Sequence, residues 1–251
     1  MIISDKPLRL TCPYCGGVKH ILTILSGNSF GAKCWSDGRR YYPMLQVPSP
    51  YQKCPHCGHY YTCDESKPTR VRMQTPDPLD AIIEETIGSL LEGDYTPPAR
   101  PKVDPEVKAR EDRWREEAKE NRFGELLFSE LAEAGEVILP RCKTIAQKEA
   151  YYLAYIHAYN DGRTMRLADG FVLFSEEDHL RFKEYAEEMA IVRGEPRTIN
   201  AEMCRELGQF DRSIEICQQL LGADTDVDAV RQILSHAEAH DPDVFELQFE
   251  E

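Results

Sequence analysis

Two patterns of apolar and polar positions divide the chain. Up to about residue 65, apolar residues come in short β-branched and aromatic runs broken by Gly, Pro, Asn and Asp, which reads as short strands and turns. His20-Ile-Leu-Thr-Ile-Leu is one such run, and Ser26-Gly-Asn-Ser-Phe-Gly is turn material. Asp37-Gly38, set between Ala32-Lys-Cys-Trp and Tyr41-Tyr-Pro-Met-Leu, predicts a hairpin. Pro48-Ser-Pro breaks any strand before the second cysteine pair.

Beyond residue 105 the spacing becomes helical. The stretch 106–122 is charged on most sides around Val107 and Trp114 and predicts a solvated helix. A second helix is expected over 123–134, ended by Gly135, and an aromatic-rich one over 143–160, ended by Asp161-Gly162. Residues 163–174 read as a turn with a short extended piece. Ser175, followed by Glu176, Glu177 and Asp178, is an N-cap with an acidic first turn, and its helix is expected to end near Gly194. Helices over 197–207, 210–221 and 226–239 follow, then an acidic tail, 241–251, expected to fray. Between the two halves, Pro68, Pro76 and Pro78 mark one linker, and Pro97, Pro98, Pro101 and Pro105 a second. They flank a short amphipathic helix over 79–91. The expected architecture is α+β: a small β-rich domain over 1–65, proline-rich linkers over 66–105, a helical domain over 106–240, and the tail.

Charge sharpens this division. Residues 1–72 hold ten Lys and Arg against four Asp and Glu, a net of +6, and the remainder a net of −20. A basic head can meet nucleic acid, or it can dock on an acidic body or face solvent. No run approaches the ~20 apolar residues of a membrane span. The start, Met1-Ile-Ile-Ser-Asp-Lys-Pro, lacks the pattern of an export leader. A cytoplasmic protein is therefore expected.

Six of the nine cysteines precede residue 64. Cys12-Pro-Tyr-Cys15-Gly16 is repeated as Cys54-Pro-His-Cys57-Gly58. Two thiolates two residues apart grip one metal from a tight turn, and Gly after the second Cys permits a left-handed backbone there. Two such knuckles supply the four ligands of a structural zinc site, Cys12, Cys15, Cys54 and Cys57. The 38 residues between them exceed the spacing of a compact module and must themselves fold. Cys34 and Cys63 are either further ligands or small buried hydrophobes. His20, His56 and His59 are spare candidates. Cys142, Cys204 and Cys217 lie in apolar contexts and read as core.

These knuckles resemble the zinc-ribbon superfamily over residues 8–65. That resemblance implies a structural zinc and serves both nucleic-acid machines and protein docking. Ala201, Gly208, Phe210, Ser213, Cys217 and Leu220 resemble one tetratricopeptide repeat over 194–225, which implies a pair of antiparallel helices and a protein-binding groove. Arg197, Asn200, Cys204 and Thr225 depart from that family's pattern. The order of ribbon, linker and repeat-like helices also resembles an uncharacterised group of bacterial proteins.

The sequence contains no phosphate-binding glycine loop, nucleophile elbow or His-Glu-x-x-His. His157 and Asp161, four apart, either line a polar pocket or form an ordinary helix-end pair. No catalytic activity is expected. The leading expectation is an interaction scaffold or adaptor that docks a protein or peptide on its helices. The alternative is a nucleic-acid accessory factor using Lys19, Lys33, Arg39, Arg40, Lys53, Arg70 and Arg72, with Tyr or Trp35 stacking on bases.

Overall fold

The computed structural model describes residues 2–26, 29–42, 49–71, 103–121, 126–164, 174–223 and 227–249. The short helix expected over 79–91, most of both linkers, and nearly all of the 163–174 turn lie outside them. The described chain is α+β, with seven short antiparallel strands and seven α-helices. Contacts group it into two units, 1–28 with 44–126, and 29–43 with 127–251.

In the first unit, β1 (Ile2–Thr11) pairs antiparallel with β2 (Val18–Ser26) on one side and with β7 (Thr69–Arg70) on the other. A separate hairpin joins β5 (Tyr51–Lys53) to β6 (Tyr60–Thr62). Leu10, Ile21, Tyr51, Tyr60 and Tyr61 are buried. Helix α1 (Pro105–Asn121), expected to open the helical body, packs instead on β1 and β2. Its Glu117 accepts from the His20 backbone N–H at 3.1 Å and meets His20 Nδ1 at 2.8 Å, while Asn121 Nδ2 donates to the His20 carbonyl at 3.1 Å. Two side chains thus satisfy backbone groups that a further strand would otherwise take. Trp114 covers the His20 ring at 5.3 Å.

The second unit begins with the predicted hairpin, β3 (Lys33–Cys34) to β4 (Arg40–Tyr41), where Gly38 has a φ of +82°. Six helices follow: α2 (Phe128–Ile138), α3 (Ile145–Thr164), α4 (Glu176–Ala190), α5 (Thr198–Glu206), α6 (Phe210–Gly222) and α7 (Val227–Glu238). Ser175 caps α4 as expected, its Oγ accepting from the Asp178 N–H at 3.1 Å. Within the antiparallel pair α5–α6, Gly208 turns the chain at a φ of +71°, and Ser213 Oγ donates to the Ala201 carbonyl at 2.8 Å. The core between α2, α3 and α4 is aromatic. Tyr159 stacks on Phe182 at 4.4 Å and Tyr152 on Tyr185 at 4.6 Å.

Two of the glycines read as helix stops, Gly135 and Gly162, are not stops. Gly135 lies inside α2, where an added Cβ would come within 3.1 Å of the Tyr185 hydroxyl and 3.2 Å of that of Tyr151. Gly162 lies inside α3, where a Cβ would stand 2.5 Å from Phe174 Cζ. Both positions are small because an aromatic ring packs against the helix. Gly162→Ala, although alanine is the better helix former, is therefore expected to lower stability by about 1–3 kcal/mol through overpacking. A thermal melt equal to or above wild type would contradict this.

The acidic tail is held rather than frayed. Trp35 pairs in a β-bridge with Glu246, the Ser36 N–H donates to the Phe245 carbonyl at 2.9 Å, and the Leu247 N–H donates to the Cys34 carbonyl at 2.7 Å. Phe245 stacks on His236 at 3.7 Å. The hairpin and the tail thus form a minimal β layer against the helices.

Candidate metal centre

Each knuckle is the tip of a hairpin. The first links β1 to β2, whose last pair is Thr11 with Val18, and the second links β5 to β6, whose last pair is Lys53 with Tyr60. Their backbones repeat one design. The Cys12 N–H donates to the Gly17 carbonyl at 2.8 Å and the Gly16 N–H to the Cys12 carbonyl at 3.0 Å. The Cys54 N–H donates to the His59 carbonyl and the Gly58 N–H to the Cys54 carbonyl, both at 2.9 Å. Gly16 and Gly58 have φ of +72° and +74°, a region that any side chain would strain.

The turns bring Cys12, Cys15, Cys54 and Cys57 together, with all four sulfurs within 4.8 Å of one another. Cys12 Sγ stands 3.7 Å from Cys57 Sγ, and Cys15 Sγ 3.7 Å from Cys54 Sγ. Thiolates held tetrahedrally at about 2.3 Å from zinc stand about 3.8 Å apart, so the cluster has the size of a metal's first coordination sphere. These four residues can hold a metal ion.

The knuckles also grip each other. Tyr14, between the first pair of cysteines, stacks on His59 at 4.8 Å. His56, the corresponding residue of the second knuckle, lies on Gly17 and places its Nε2 3.0 Å from the Val18 carbonyl. An added Cβ on Gly17 would come within 2.4 Å of the His56 ring. His56 and His59 therefore hold the two turns together, and neither joins the sulfur cluster. Cys12 and Cys54 are buried with Tyr61 beneath them, while Cys15 and Cys57 are exposed.

Electrostatics explain what a cation would contribute. The hydrogen bond from the His59 backbone pulls the Cys57 thiol down. Desolvation and the neighbouring Cys15, Cys54 and Cys12 outweigh it, and the thiol is pushed up to about 12. Four sulfurs this close resist sharing negative charge until a positive ion sits among them, and a bound dication deprotonates coordinating thiols. Burial and the Cys54 and Cys12 sulfurs likewise push the Tyr61 phenol up.

Cys34 and Cys63 stand outside the cluster. Cys63 Sγ donates to the Ser49 carbonyl at 3.1 Å, and burial raises its pKa. Cys204 and Cys217 are buried in the helical unit, and Cys142 is half-buried with its Sγ 3.5 Å from the Ile138 carbonyl. The four knuckle cysteines are the one candidate metal cluster among the described residues.

A second polar cluster lies buried in the helical unit, and sequence reasoning reached only its edge. His157 Nε2 stands 3.0 Å from the Asp37 carbonyl. Asn160 Nδ2 donates to Asp37 Oδ2 at 3.0 Å and to Glu206 Oε2 at 3.1 Å. Arg39 pairs with Asp161 and stacks its guanidinium 4.4 Å over the Trp35 ring. Arg205 and Glu202, both fully buried, form an ion pair at 2.6 Å. The helical spacing of His157 and Asp161 was visible in the sequence, but their partners come from a hairpin more than a hundred residues away. Comparison of the chain with known proteins finds no matching family model, no matching curated protein and no matching solved structure.

Proposed function

We propose that this protein is a zinc-binding interaction scaffold, with a structural zinc in the knuckle cluster and the helical unit as its docking face. The spacing of the four sulfurs carries the zinc assignment. Four thiolates are the soft donor set zinc takes in closed structural sites, and a fourth protein ligand leaves no position for a reacting water. Cys12, Cys15, Cys54 and Cys57 would hold the ion, whose role is to lock two hairpins that share only a small apolar core.

The engagement of the basic residues supports docking over nucleic-acid binding. Lys19 is buried with its Nζ donating to Gln52 at 3.1 Å, and Lys33 pairs with Glu246 at 2.7 Å. Arg39 pairs with Asp161, and Lys53 sits 5.1 Å over the Tyr60 ring. Duplex or single-strand affinity requires several cations on one open face, and these four are spent within the protein. The helical unit instead offers a cleft of 380 Å³ lined by Tyr152, Leu180 and Tyr185 together with Glu136, Glu177 and Glu184. Leu180 is 62% exposed there.

Two measurements test this reading. Elemental analysis of purified protein is expected to give about one zinc per chain, since two knuckles make one four-thiolate site. Labelled single-stranded and duplex oligonucleotides are expected to show no tight binding by fluorescence anisotropy at ~150 mM salt. Zinc-free protein, or tight oligonucleotide binding lost on Arg40→Glu, would reverse the assignment. A bound protein retained by wild type and released by Leu180→Glu would place the docking face on the helices.

A further inference from the structure

The cleft formed by α2, α3 and α4 carries charge as well as apolar surface. Tyr152 and Tyr185, stacked at 4.6 Å with their planes 28° apart, form its aromatic wall. Three carboxylates line it, Glu136 from α2 and Glu177 and Glu184 from α4. Glu177, Leu180, Arg181 and Glu184 recur every three or four residues, which sets them on one face of α4. Arg181 reaches Glu177 at 2.8 Å and Glu136 at 3.5 Å. One guanidinium thus answers two carboxylates, and the lining keeps a net charge of −2, three acidic groups against one basic.

Two polar groups of this lining have no counterpart among the described residues. Tyr185 is 5% exposed, yet its hydroxyl has no hydrogen-bond partner there. A buried tyrosine hydroxyl usually finds one. The two tyrosines packed edge-on against it do: Tyr151 donates to the Leu131 carbonyl, and Tyr155 to Asp178 at 3.4 Å. The Tyr185 hydroxyl stands beside Gly135, which lines the cleft with it. The second group is Glu184, exposed and without an ion pair among the described residues. Its position distinguishes it from other exposed carboxylates, because its charge acts on both stacked rings. Burial first, then Glu184, Tyr152 and Glu136 against Arg181, push the Tyr185 phenol up to about 12. Burial, Glu188 and Glu184 likewise raise that of Tyr152. Both hydroxyls stay neutral, and their oxygens can accept hydrogen bonds beside an unpaired carboxylate.

Resting on the docking reading above, we propose that this cleft takes an arginine side chain from a basic segment of the partner protein, with Glu184 as its counter-ion and the tyrosine pair as its platform. The acidic lining repels phosphate, which sets nucleic acid aside. A bare metal ion does not suit it either. Among the described residues, only the knuckle cysteines bring three or more ligand atoms within reach of one ion. An organic cation spans wider gaps. The guanidinium is planar and weakly hydrated, stacks on aromatic faces, and offers a fork of N–H donors to carboxylate and phenol oxygens. Its methylene stem can lie along Leu180, which is 62% exposed. Arg181 is already matched by Glu136 and Glu177, which leaves Glu184 for the incoming cation. The volume of 380 Å³ is at the small end of ligand sites, about 300–1,000 Å³, and suits one or two side chains of a passing peptide.

Fluorescence anisotropy of the zinc-loaded full chain at ~150 mM salt tests this, with a labelled peptide of three arginines spaced by Gly-Ser as the probe. Saturable binding is expected with Kd below ~100 μM, and the same peptide built with citrulline, the uncharged isostere of arginine, is expected to bind at least ~10-fold more weakly. Glu184→Gln is expected to weaken the arginine peptide by ~5-fold or more. Glu187→Gln removes another exposed carboxylate of the same helix, outside the cleft, and is expected to change the affinity by less than ~2-fold. Both side chains are exposed, so circular dichroism is expected to stay that of wild type. No saturable binding of the arginine peptide, equal binding of the citrulline peptide, or equal losses from Glu184→Gln and Glu187→Gln would overturn the proposal, the last by revealing general attraction to an acidic chain. The docking reading fails separately. A bound protein that Leu180→Glu releases, beside an arginine peptide that does not bind, would leave docking on the helices standing and remove the arginine assignment alone.

Discussion

Serine in place of Cys15 or Cys57 is expected to abolish metal binding and unfold the first unit, while the helices of the second survive. The size of the effect follows from what holds the knuckles. Structural zinc contributes about 10–16 kcal/mol of apparent binding energy in small modules, which is as large as the whole stability of an ordinary domain. The core beneath the site is small, and Tyr61 packs directly on Cys12 and Cys54. Loss of the cluster therefore exposes the tyrosine layer and frees α1, whose hold on β2 is largely polar. The seam between the surviving and lost parts runs through the sequence between the knuckles, because 29–43 belongs to the second unit.

The two tryptophans report the two units separately. Trp114 sits on His20 in the first, and Trp35 under Arg39 in the second. Single-tryptophan proteins made with Trp35→Phe or Trp114→Phe allow each to be read alone. The Cys15→Ser change, or a chelator on the wild type, is expected to shift Trp114 emission to that of solvated indole and leave Trp35 unchanged. Ellipticity at 222 nm is expected to fall by no more than the share of α1, 17 residues long. Loss of the Trp35 environment together with the metal would show that the two units fold as one.

How much of this was legible depends on the range of each interaction. The knuckles are local: Cys, Pro, Cys and Gly within five positions dictate the turn, and its repetition brings four sulfurs to one point. The Asp37-Gly38 hairpin and the Ser175 cap are local for the same reason, since their hydrogen bonds close within a few residues. Gly135 and Gly162 misled because glycine marks both a helix stop and a close approach, and only the facing rings decide between them. Helix α1 misled because its attachment is not an apolar stripe. It rests on Glu117 and Asn121 reaching one backbone unit of β2, which no periodicity displays. The tail looked free because its acidity suggests solvent, whereas its backbone is used by the 33–41 hairpin over two hundred residues upstream. Likewise, Arg39 read as a cation for phosphate until Asp161 and Trp35 were found around it.

Two substitutions one residue apart in the buried cluster are expected to act in opposite directions. Arg205→Ala removes the partner of Glu202, the contact to the Asp241 carbonyl and the stack 5.1 Å over Phe245. A carboxylate is left buried without its cation, which costs about 3–5 kcal/mol. Glu206 presents the reverse problem. Burial first, then the charges of Glu202 and Asp37, hold its carboxyl well above the usual range, against the Asn160 hydrogen bond and Arg205. Arg39 and His157 both lie beside Asp37, and burial lowers the pKa of Arg39 despite the Asp37 and Glu206 charges. The folded protein thus keeps the Glu206 proton at a pH where the unfolded chain, whose glutamates titrate near the ordinary 4.5, has released it. The native state binds more protons in that window, so stability falls as pH rises through it, by up to about 1.4 kcal/mol per pH unit from this group. Glu206→Gln keeps the shape and an acceptor for Asn160 without the ionisation. Its stability relative to wild type is expected to grow as pH rises from about 5 toward 8, levelling only once the folded-state Glu206 itself ionises. Urea midpoints of wild type and the two variants across that range check both signs. An Arg205→Ala protein as stable as wild type, or a Glu206→Gln difference that stays flat or shrinks with pH, would show that the cluster is not the buried, charge-limited joint described above.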